Sequence, residues 1–212
     1  MKYIAITQRV LQNKKTGELR DALDQQWTVL LEQIGFIPLI IPNMLTPLSK
    51  LLKITLLSGV LFTGGNDIGI TKTQDVALER DRTEKRLLSH TLKHRIPLIG
   101  VCRGMQFIVH QFGGKLKKSG SHIRNKHPIV INKSSRYTSE LKKISLVNSY
   151  HNYVVVSVPQ EFKVIAHASD GTIEAIEHKS YPIYAQMWHP ERERPFNKYQ
   201  MQLIQKIFST HQ

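Results

Sequence analysis

The chain has 212 residues, with 41% hydrophobic and 22% charged side chains, which predicts one globular domain over residues 1–212. Its single cysteine excludes an intramolecular disulfide framework and a cysteine-based zinc site. With no signal-peptide pattern and no run of roughly 18 apolar residues, we expect a cytoplasmic protein with no membrane partner. The formal net charge of +14 leaves open a solubilising lysine-rich surface, an anionic substrate or a nucleic-acid partner.

The first half of the chain alternates short apolar runs with helical patterns. In residues 21–34 the apolar side chains recur at a helical period, and Gly35 ends that pattern. Strands are predicted at 2–7, 36–41, 59–62 and 96–101, and helices at 21–34, from Thr46-Pro47 onward, at 75–93 and at 105–112. This alternation is typical of a parallel sheet covered on both faces, whose sites form at the carboxyl ends of the strands.

The second half of the chain predicts consecutive strands. Runs with strand composition cover residues 128–131, 144–147, 153–158, 163–168, 172–177 and 182–187. Residues 169–172, SDGT, predict a hairpin turn, and a last helix covers 197–208. The predicted fold class is therefore α/β. It is a three-layer sandwich in which helices flank a central, mostly parallel sheet, with additional β-strands in the C-terminal half.

The cysteine lies in Gly100-x-Cys102-x-Gly104, between a predicted strand and a predicted helix. This spacing is typical of a nucleophile elbow, in which small neighbours let the backbone turn sharply and hold the nucleophile clear of the sheet. The N–H groups of the following helix favour thiolate over thiol, and that of Arg103 can donate to an oxyanion. The alternative is a buried structural cysteine.

A thiolate nucleophile needs a base, and the base needs a group that orients it. His189 follows an apolar strand that Pro190 stops, and Glu191 lies two residues on. Imidazole beside a carboxylate is the base-and-orienter pair of a catalytic triad, with a chance acidic neighbour as the alternative. Gly64 and Gly65 end another predicted strand and offer a second backbone oxyanion donor, or form an ordinary glycine turn.

Four motifs, in this order, resemble those of class I glutamine amidotransferases and of their stand-alone γ-glutamyl hydrolase branch, peptidase C26: FTGGND at 62–67, GVCRGMQ at 100–106, VNSYHN at 147–152 and WHPE at 188–191. The resemblance covers essentially the whole chain and implies a flavodoxin-like, amidotransferase-like fold. It implies that Cys102 attacks a γ-glutamyl amide to give a thioester. His189 would protonate the leaving amine and then activate water, oriented by Glu191. The backbone of Gly65 and Arg103 would form the oxyanion hole.

The resemblance also implies a glutamyl pocket that uses no cofactor and no metal. Its expected lining is Gly64, Asn66, Gln106, Asn148, Ser149, Tyr150 and His151. From the residues alone, NSYHN at 148–152 is a polar loop after a strand, and Gln106 is a polar residue on a helix face. Arg80, Asp81 and Glu84 belong to a stretch that recurs in this branch, and we expect them to form a surface ion-pair set.

The segment 115–143 has nine Lys or Arg residues and one acid, and it is predicted to be mostly irregular and exposed. Its charge indicates a small-molecule substrate with an anionic leaving group, and the candidate phosphate contacts are Arg103, Lys115, Lys117 and Arg124. It has no zinc-finger, RRM-like or basic-helix pattern, which disfavours a nucleic-acid partner.

The whole sequence also resembles hydrolases that release cytidine diphosphoramidate from γ-glutamyl-CDP-amidate in capsule synthesis, which makes this the favoured substrate. Three alternatives stay open. One is a γ-glutamyl-γ-aminobutyrate hydrolase, and another is a glutaminase subunit that delivers ammonia to a synthetase. The third is a basic binding protein without activity. The oligomeric state stays open as well.

Overall fold

The structure is a computed structural model that describes residues 2–54, 56–71, 73–119 and 123–209, with only the backbone described at 54 and 123–125. The elements of the described ranges are, in chain order, β1 (Tyr3–Ile6), β2 (Arg9–Gln12), β3 (Leu19–Ala22), α1 (Gln25–Gln33), β4 (Ile37–Ile40), α2 (Leu48–Ile54), β5 (Leu57–Phe62), α3 (Leu78–His94), β6 (Leu98–Val101), α4 (Arg103–Gln111), β7 (Lys115–Lys118), β8 (Ile123–Ile131), α5 (Thr138–Leu141), β9 (Leu146–Tyr150), β10 (Tyr153–Ser157), β11 (Phe162–Ala168), β12 (Ile173–His178), β13 (Ile183–Gln186) and α6 (Lys198–Ser209). Short 3₁₀ turns cover Gly69–Thr71 and Pro190–Arg192.

One large sheet combines a parallel half with an antiparallel half. The strands β4-β1-β5-β6-β13 lie side by side and are all parallel. From β13 the sheet continues through β12, β11, β8 and β9 in antiparallel pairs, and β10 and β7 attach beside β12. The hairpin β2–β3 is separate. The predicted α/β class and its additional C-terminal strands are confirmed.

Strand β1 shows why helices cover both faces of the sheet. Successive side chains of a strand point to opposite faces. Ile4 and Ile6 belong to a buried cluster with α1 and α6, where Phe208 is fully buried. Ala5 belongs to a second cluster, which contains residues of α2, α3 and α4. Two apolar layers therefore enclose the sheet, as the apolar runs of the sequence predict.

The β2–β3 hairpin is the main departure from the predicted elements in the first half. The helix predicted at 21–34 begins at Gln25, because Asp24 caps it by accepting a hydrogen bond from the N–H of Gln26 at 3.0 Å. The preceding residues Leu19–Ala22 pair with β2 instead. The hairpin has no regular alternation of buried apolar and exposed polar residues, and its Leu11 and Leu19 are exposed, so no clean strand pattern marks it.

The basic segment 115–143 is not irregular, and that prediction was wrong. Its strands β7 and β8 pair along their backbones with β10 and with β9 and β11. The lysines of β7 alternate too little with apolar residues to reveal a strand. Exposed lysines on a strand at the margin of a sheet fit the usual protection of such strands against further pairing.

The carboxyl ends of the parallel strands β1, β5, β6 and β13 lie at one edge of the sheet. They are followed by Thr7, the 63–66 loop, Cys102 and the segment 187–191. The fold therefore brings the predicted glycine loop, cysteine and histidine to a single edge. Among the described helices, none is both long enough and apolar enough to cross a bilayer.

Candidate active site

Cys102 lies in a sharp turn between β6 and α4. Its φ of 52° and ψ of −107° are in a region that residues with a side chain rarely adopt. The turn is fixed by its neighbours: the N–H of Cys102 donates to the Gln186 carbonyl at 2.8 Å. A Cβ at Gly100 would lie 2.9 Å from the Gly104 carbonyl carbon, and a Cβ at Gly104 would lie 2.8 Å from the Cβ of Phe62. Both glycines are therefore required by close backbone packing.

His189 contacts both Glu191 and Cys102. Its Nδ1 lies 2.6 Å from Oε1 of Glu191, and Cys102 lies close enough to its ring to affect the pKa of the imidazole. A Cβ at Gly64 would lie 2.5 Å from Cε1 of His189, so the glycine leaves the room that the imidazole occupies. The structure thus brings together the three predicted triad side chains and one predicted glycine.

The buried position of His189 has two opposing effects on its protonation. Burial by itself lowers the pKa of the imidazole, because an uncharged ring is easier to desolvate. The Glu191 carboxylate, the negative charge of a Cys102 thiolate and the hydrogen bonds to both outweigh burial and raise the pKa of His189 to about 9. The site therefore favours the charged form of the His189 imidazole.

Asn148 holds the backbone of His189 in place. Its Oδ1 accepts from the His189 N–H and its Nδ2 donates to the His189 carbonyl, both at 2.8 Å. The same Nδ2 also donates to Oε1 of Glu193 at 2.8 Å. The side chain of Asn148 therefore positions the segment that holds the imidazole, and Asn148 is not among the described residues that line the acyl cavity. The segment around it is strand β9 rather than the polar loop that its composition indicates.

The side chain of Arg80 binds the backbone of the glycine loop, residues 63–66. Its guanidinium donates to the carbonyl of Thr63 at 2.6 Å, to that of Gly64 at 3.1 Å and to that of Gly65. Because all three carbonyl groups point to Arg80, the backbone of Gly65 is held in a left-handed conformation, with φ of 83°. Burial first, and then neighbouring Arg103, lower the pKa of Arg80 to about 10.

Glu84 links this loop to the cysteine turn. One of its carboxylate oxygens accepts from Thr7 and from Arg80, each at 2.9 Å, and the other pairs with Arg103. Arg103 also pairs with Asp81. Because Arg80 and Glu84 are completely buried, the expected surface ion-pair set is in fact an internal network. A polar stretch on a helix gives no signal for this burial.

A cavity of about 200 Å³ lies beside the sulfur of Cys102, and we call it the acyl cavity. On its floor, Nε2 of Gln106 donates to the Tyr153 carbonyl at 3.1 Å. His151 contacts that same carbonyl at 3.0 Å and the Ser149 hydroxyl at 3.1 Å. Of the residues expected in the glutamyl pocket, the acyl cavity is lined by Gly65, Asn66, Gln106, Tyr150 and His151.

Asn66 is held mainly by structural contacts. Its side-chain oxygen accepts from the Val10 N–H at 2.8 Å, and its nitrogen donates to the Val10 carbonyl and to Asp75, both at 2.9 Å. These bonds attach the β2–β3 hairpin to the glycine loop. Asn66 lines the acyl cavity, as expected, while its amide nitrogen and oxygen bind the hairpin and Asp75.

The expected phosphate contacts do not gather at the site. The guanidinium of Arg103 is buried and paired with Glu84 and Asp81, so the expectation of a phosphate there does not hold. Lys115 and Lys117 are exposed on β7 and are not among the described residues that line either cavity near Cys102. The side chain of Arg124 lies outside the described part of the chain.

A second cavity, of about 240 Å³, also borders His189. It is bounded by Thr63, Gly64, His189, Glu191 and by residues that sequence reasoning missed: Arg9, Ala22, Leu23, Asp24, Trp27 and Arg192. Arg9 and Arg192 also line the acyl cavity, so they stand where the two cavities meet. Arg9 comes from the unpredicted hairpin, which is why no motif revealed it. In the described ranges, no group of three or more His, Cys, Asp or Glu could hold a metal ion.

The sequence matches the peptidase C26 family over residues 3–191. It is 33% identical to the γ-glutamyl-CDP-amidate hydrolase of Campylobacter jejuni, over 98% of both chains. It is 31% identical to the glutamine-hydrolysing GMP synthase subunit of Pyrococcus abyssi, over 76% of this chain and 79% of that one. A crystal structure from Thermoplasma acidophilum, described as that of a GMP synthase subunit, has the same fold, with a TM-score of 0.73 at 22% identity and coverage of 98% and 92%.

Replacing Glu84 with glutamine is expected to destabilise the protein by about 3–5 kcal/mol, because it leaves Arg80 and Arg103 buried without their shared counter-charge. Urea unfolding measures this loss. Glu79→Gln, on the same helix, is the matched control and should change the free energy of unfolding by about 0.5 kcal/mol or less. A loss below about 1 kcal/mol for Glu84→Gln would contradict the proposed network.

The protonation of His189 can be followed by NMR titration of its ring Cε1 proton, assigned with a His189→Gln variant. The imidazolium should persist as the pH rises and be lost near pH 9, in line with its raised pKa. Glu191→Gln removes the carboxylate that favours the charged ring, so its titration midpoint should move to lower pH. Equal midpoints in the two proteins would show that Glu191 does not stabilise the imidazolium.

Proposed function

The chain belongs to the peptidase C26 family, and from that premise we propose that it hydrolyses a γ-glutamyl amide, releasing glutamate and an amine. The observation that carries the proposal is the contact of His189 with both Cys102 and Glu191, at the point where two cavities meet. A nucleophile, a base and an orienting carboxylate in this arrangement are suited to acyl transfer.

In the first step, the sulfur of Cys102 attacks the γ-carbonyl carbon and the electron pair of the C=O bond moves to oxygen. The N–H of Arg103 is suited to bind this oxyanion, because the first N–H groups of a helix have no acceptor within the helix. Gly65 supplies the second donor in our proposal. When the tetrahedral intermediate collapses, the C–N bond breaks and His189 gives its proton to the leaving nitrogen.

In the second step, water attacks the glutamyl thioester. His189, now neutral, takes a proton from that water, and Glu191 stabilises the imidazolium that forms again. The C–S bond breaks, glutamate leaves and Cys102 returns to the thiolate. The sum of the two steps is one amide and one water consumed, with one glutamate and one amine produced.

The leading substrate is γ-glutamyl-CDP-amidate, which would yield cytidine diphosphoramidate for capsule modification. Two observations support it: the 33% identity to the Campylobacter jejuni hydrolase of that name over 98% of both chains, and a formal net charge of +14. A positive field raises the local concentration of a doubly phosphorylated substrate. γ-Glutamyl-γ-aminobutyrate is the alternative among stand-alone hydrolases.

A second candidate function is that of a glutaminase subunit, which passes ammonia to a synthetase partner. Its support is the similarity to glutamine-hydrolysing GMP synthase subunits, at 31% identity to the protein of Pyrococcus abyssi. The two candidates share the chemistry at Cys102 and differ in the amine released. They are therefore separated by substrate preference of the isolated chain.

The test is glutamate release by the purified chain from γ-glutamyl-CDP-amidate, γ-glutamyl-γ-aminobutyrate and glutamine. We expect the highest kcat/KM for the nucleotide, and a loss of about 10⁴-fold or more in Cys102→Ala, because without the nucleophile no thioester forms. A higher kcat/KM for γ-glutamyl-γ-aminobutyrate or for glutamine would remove the nucleotide as substrate. Undiminished activity of Cys102→Ala would contradict the proposed chemistry.

A further inference from the structure

Two cationic side chains stand where the acyl cavity meets the second cavity, and neither belongs to the proposed triad or oxyanion hole. We propose that the second cavity receives the leaving group of the γ-glutamyl amide, and that Arg9 and Arg192 select a leaving group whose anionic charge lies next to the scissile nitrogen. This inference rests on the proposed function, whose substrate it makes specific.

The positions of Cys102 and His189 decide which part of the substrate enters which cavity. Cys102 lines the acyl cavity and not, among the described residues, the second one. The carbonyl that it attacks, and the glutamyl chain attached to it, must therefore lie in the acyl cavity. The leaving nitrogen must approach His189, which borders both cavities, in order to be protonated. What is bonded to that nitrogen then continues past the imidazole into the second cavity.

Among the described residues, Arg9 has no ion-pair partner at this junction, although Asp67 and Asp75 also line the acyl cavity. In the described ranges, its side chain makes no hydrogen bond and no ion pair with a carboxylate, although Arg80 lies close enough to be affected by its charge. The guanidinium packs against the Cα of Gly65, where any Cβ would overlap it. Position 65 therefore requires glycine for two reasons: its backbone is left-handed, and the Arg9 guanidinium fills the space that a Cβ would need. An unpaired guanidinium beside the scissile bond is suited to an anion that arrives with the substrate.

Arg192 is the second cationic residue that lines both cavities. Its guanidinium carbon lies 4.5 Å from the centre of the Tyr150 ring, a cation–π contact that holds it over the cavity mouth. Its Nε is 3.6 Å from the Glu191 carboxylate, which is already shared with His189. The side chain of Arg192 is one-third exposed and lines both cavities, so a bound substrate can reach it.

The rest of the second cavity favours an anion followed by an organic group. Trp27 and Leu23 give it an apolar wall, and Trp27 is almost completely buried there. The cavity's other carboxylate, Asp24, is engaged as the cap of α1. A leaving group with a phosphate next to its nitrogen would place the phosphate beside Arg9 and Arg192 and its organic part against the apolar wall. Ammonia as leaving group would contact neither the arginines nor that wall with a charge.

Variants with one positive charge fewer test the proposal. We would measure kcat/KM of wild type, Arg9→Gln and Arg192→Gln with γ-glutamyl-CDP-amidate and with γ-glutamyl methylamide, whose leaving group is small and has no anionic charge. Arg20→Gln is the matched control, because Arg20 lies on the same hairpin, is exposed, pairs with Glu18 and lines neither cavity as described. Thermal melting verifies that each variant is folded.

Arg9→Gln and Arg192→Gln should each lower kcat/KM for the nucleotide by about 10- to 100-fold, mainly through KM, as expected for the loss of a charge-assisted contact. Hydrolysis of the methylamide should change by less than about threefold, and Arg9→Lys should recover part of the loss. Equal losses with both substrates would overturn the proposal, because Arg9 would then act on the glutamyl group or on the glycine loop. No loss with the nucleotide would also overturn it.

A binding measurement keeps this result separate from the proposed function. Titration calorimetry of CDP into Cys102→Ala, with and without Arg9→Gln, needs no turnover. Weaker binding with Arg9→Gln supports the anionic subsite, and unchanged binding overturns it. If wild type releases no glutamate from either amide while CDP binding still depends on Arg9, the proposed reaction fails and the subsite stands.

Discussion

The buried carboxylate of Glu84 is the interaction on which the site depends. It accepts from Thr7 after β1, from Arg80 beneath the glycine loop and from Arg103 at the start of α4. A buried charge is costly unless an opposite charge is paired with it. Arg80, Glu84 and Arg103 therefore have to keep their positions relative to one another. The network therefore fixes the distance between the glycine loop and the cysteine turn. The oxyanion of the tetrahedral intermediate would have to accept hydrogen bonds from both of these segments.

The site's remaining geometry follows from parallel strands that end at one edge. Their carboxyl ends place Cys102, His189 and the glycine loop within contact of one another, although almost ninety residues separate the cysteine from the histidine. Each position is then fixed locally: two glycines make the cysteine turn, and Asn148 holds the His189 backbone from both sides. The reactive groups stand on strands and helix ends that are packed on both faces, which limits their movement.

The sequence predicts those parts of the site whose residues lie close to one another along the chain. Gly100-x-Cys102-x-Gly104 predicts its own turn, because any side chain at either glycine would meet backbone or a packed neighbour. The adjacent His189 and Glu191 likewise needed only their spacing. The internal network was missed because Arg80 and Glu84 have the composition of a surface helix, and only tertiary packing buries them. Arg9 was missed for a similar reason: its hairpin has no clear alternation, and its position depends on contacts between Asn66 and Val10. Conversely, the lysines of β7 were predicted to contact a phosphate from their charge alone, and they are not among the described residues that line the two cavities.

The proposed reaction requires Cys102 to act as a nucleophile within a pocket for the glutamyl group. A glutamine analogue with an electrophilic diazoketone in place of its amide tests both parts at once, by peptide mass mapping after incubation with the protein. We expect one label per chain, on the peptide that contains Cys102, with protection by excess glutamate and no label in Cys102→Ala. A label on another residue, or none on the wild-type protein, would contradict it.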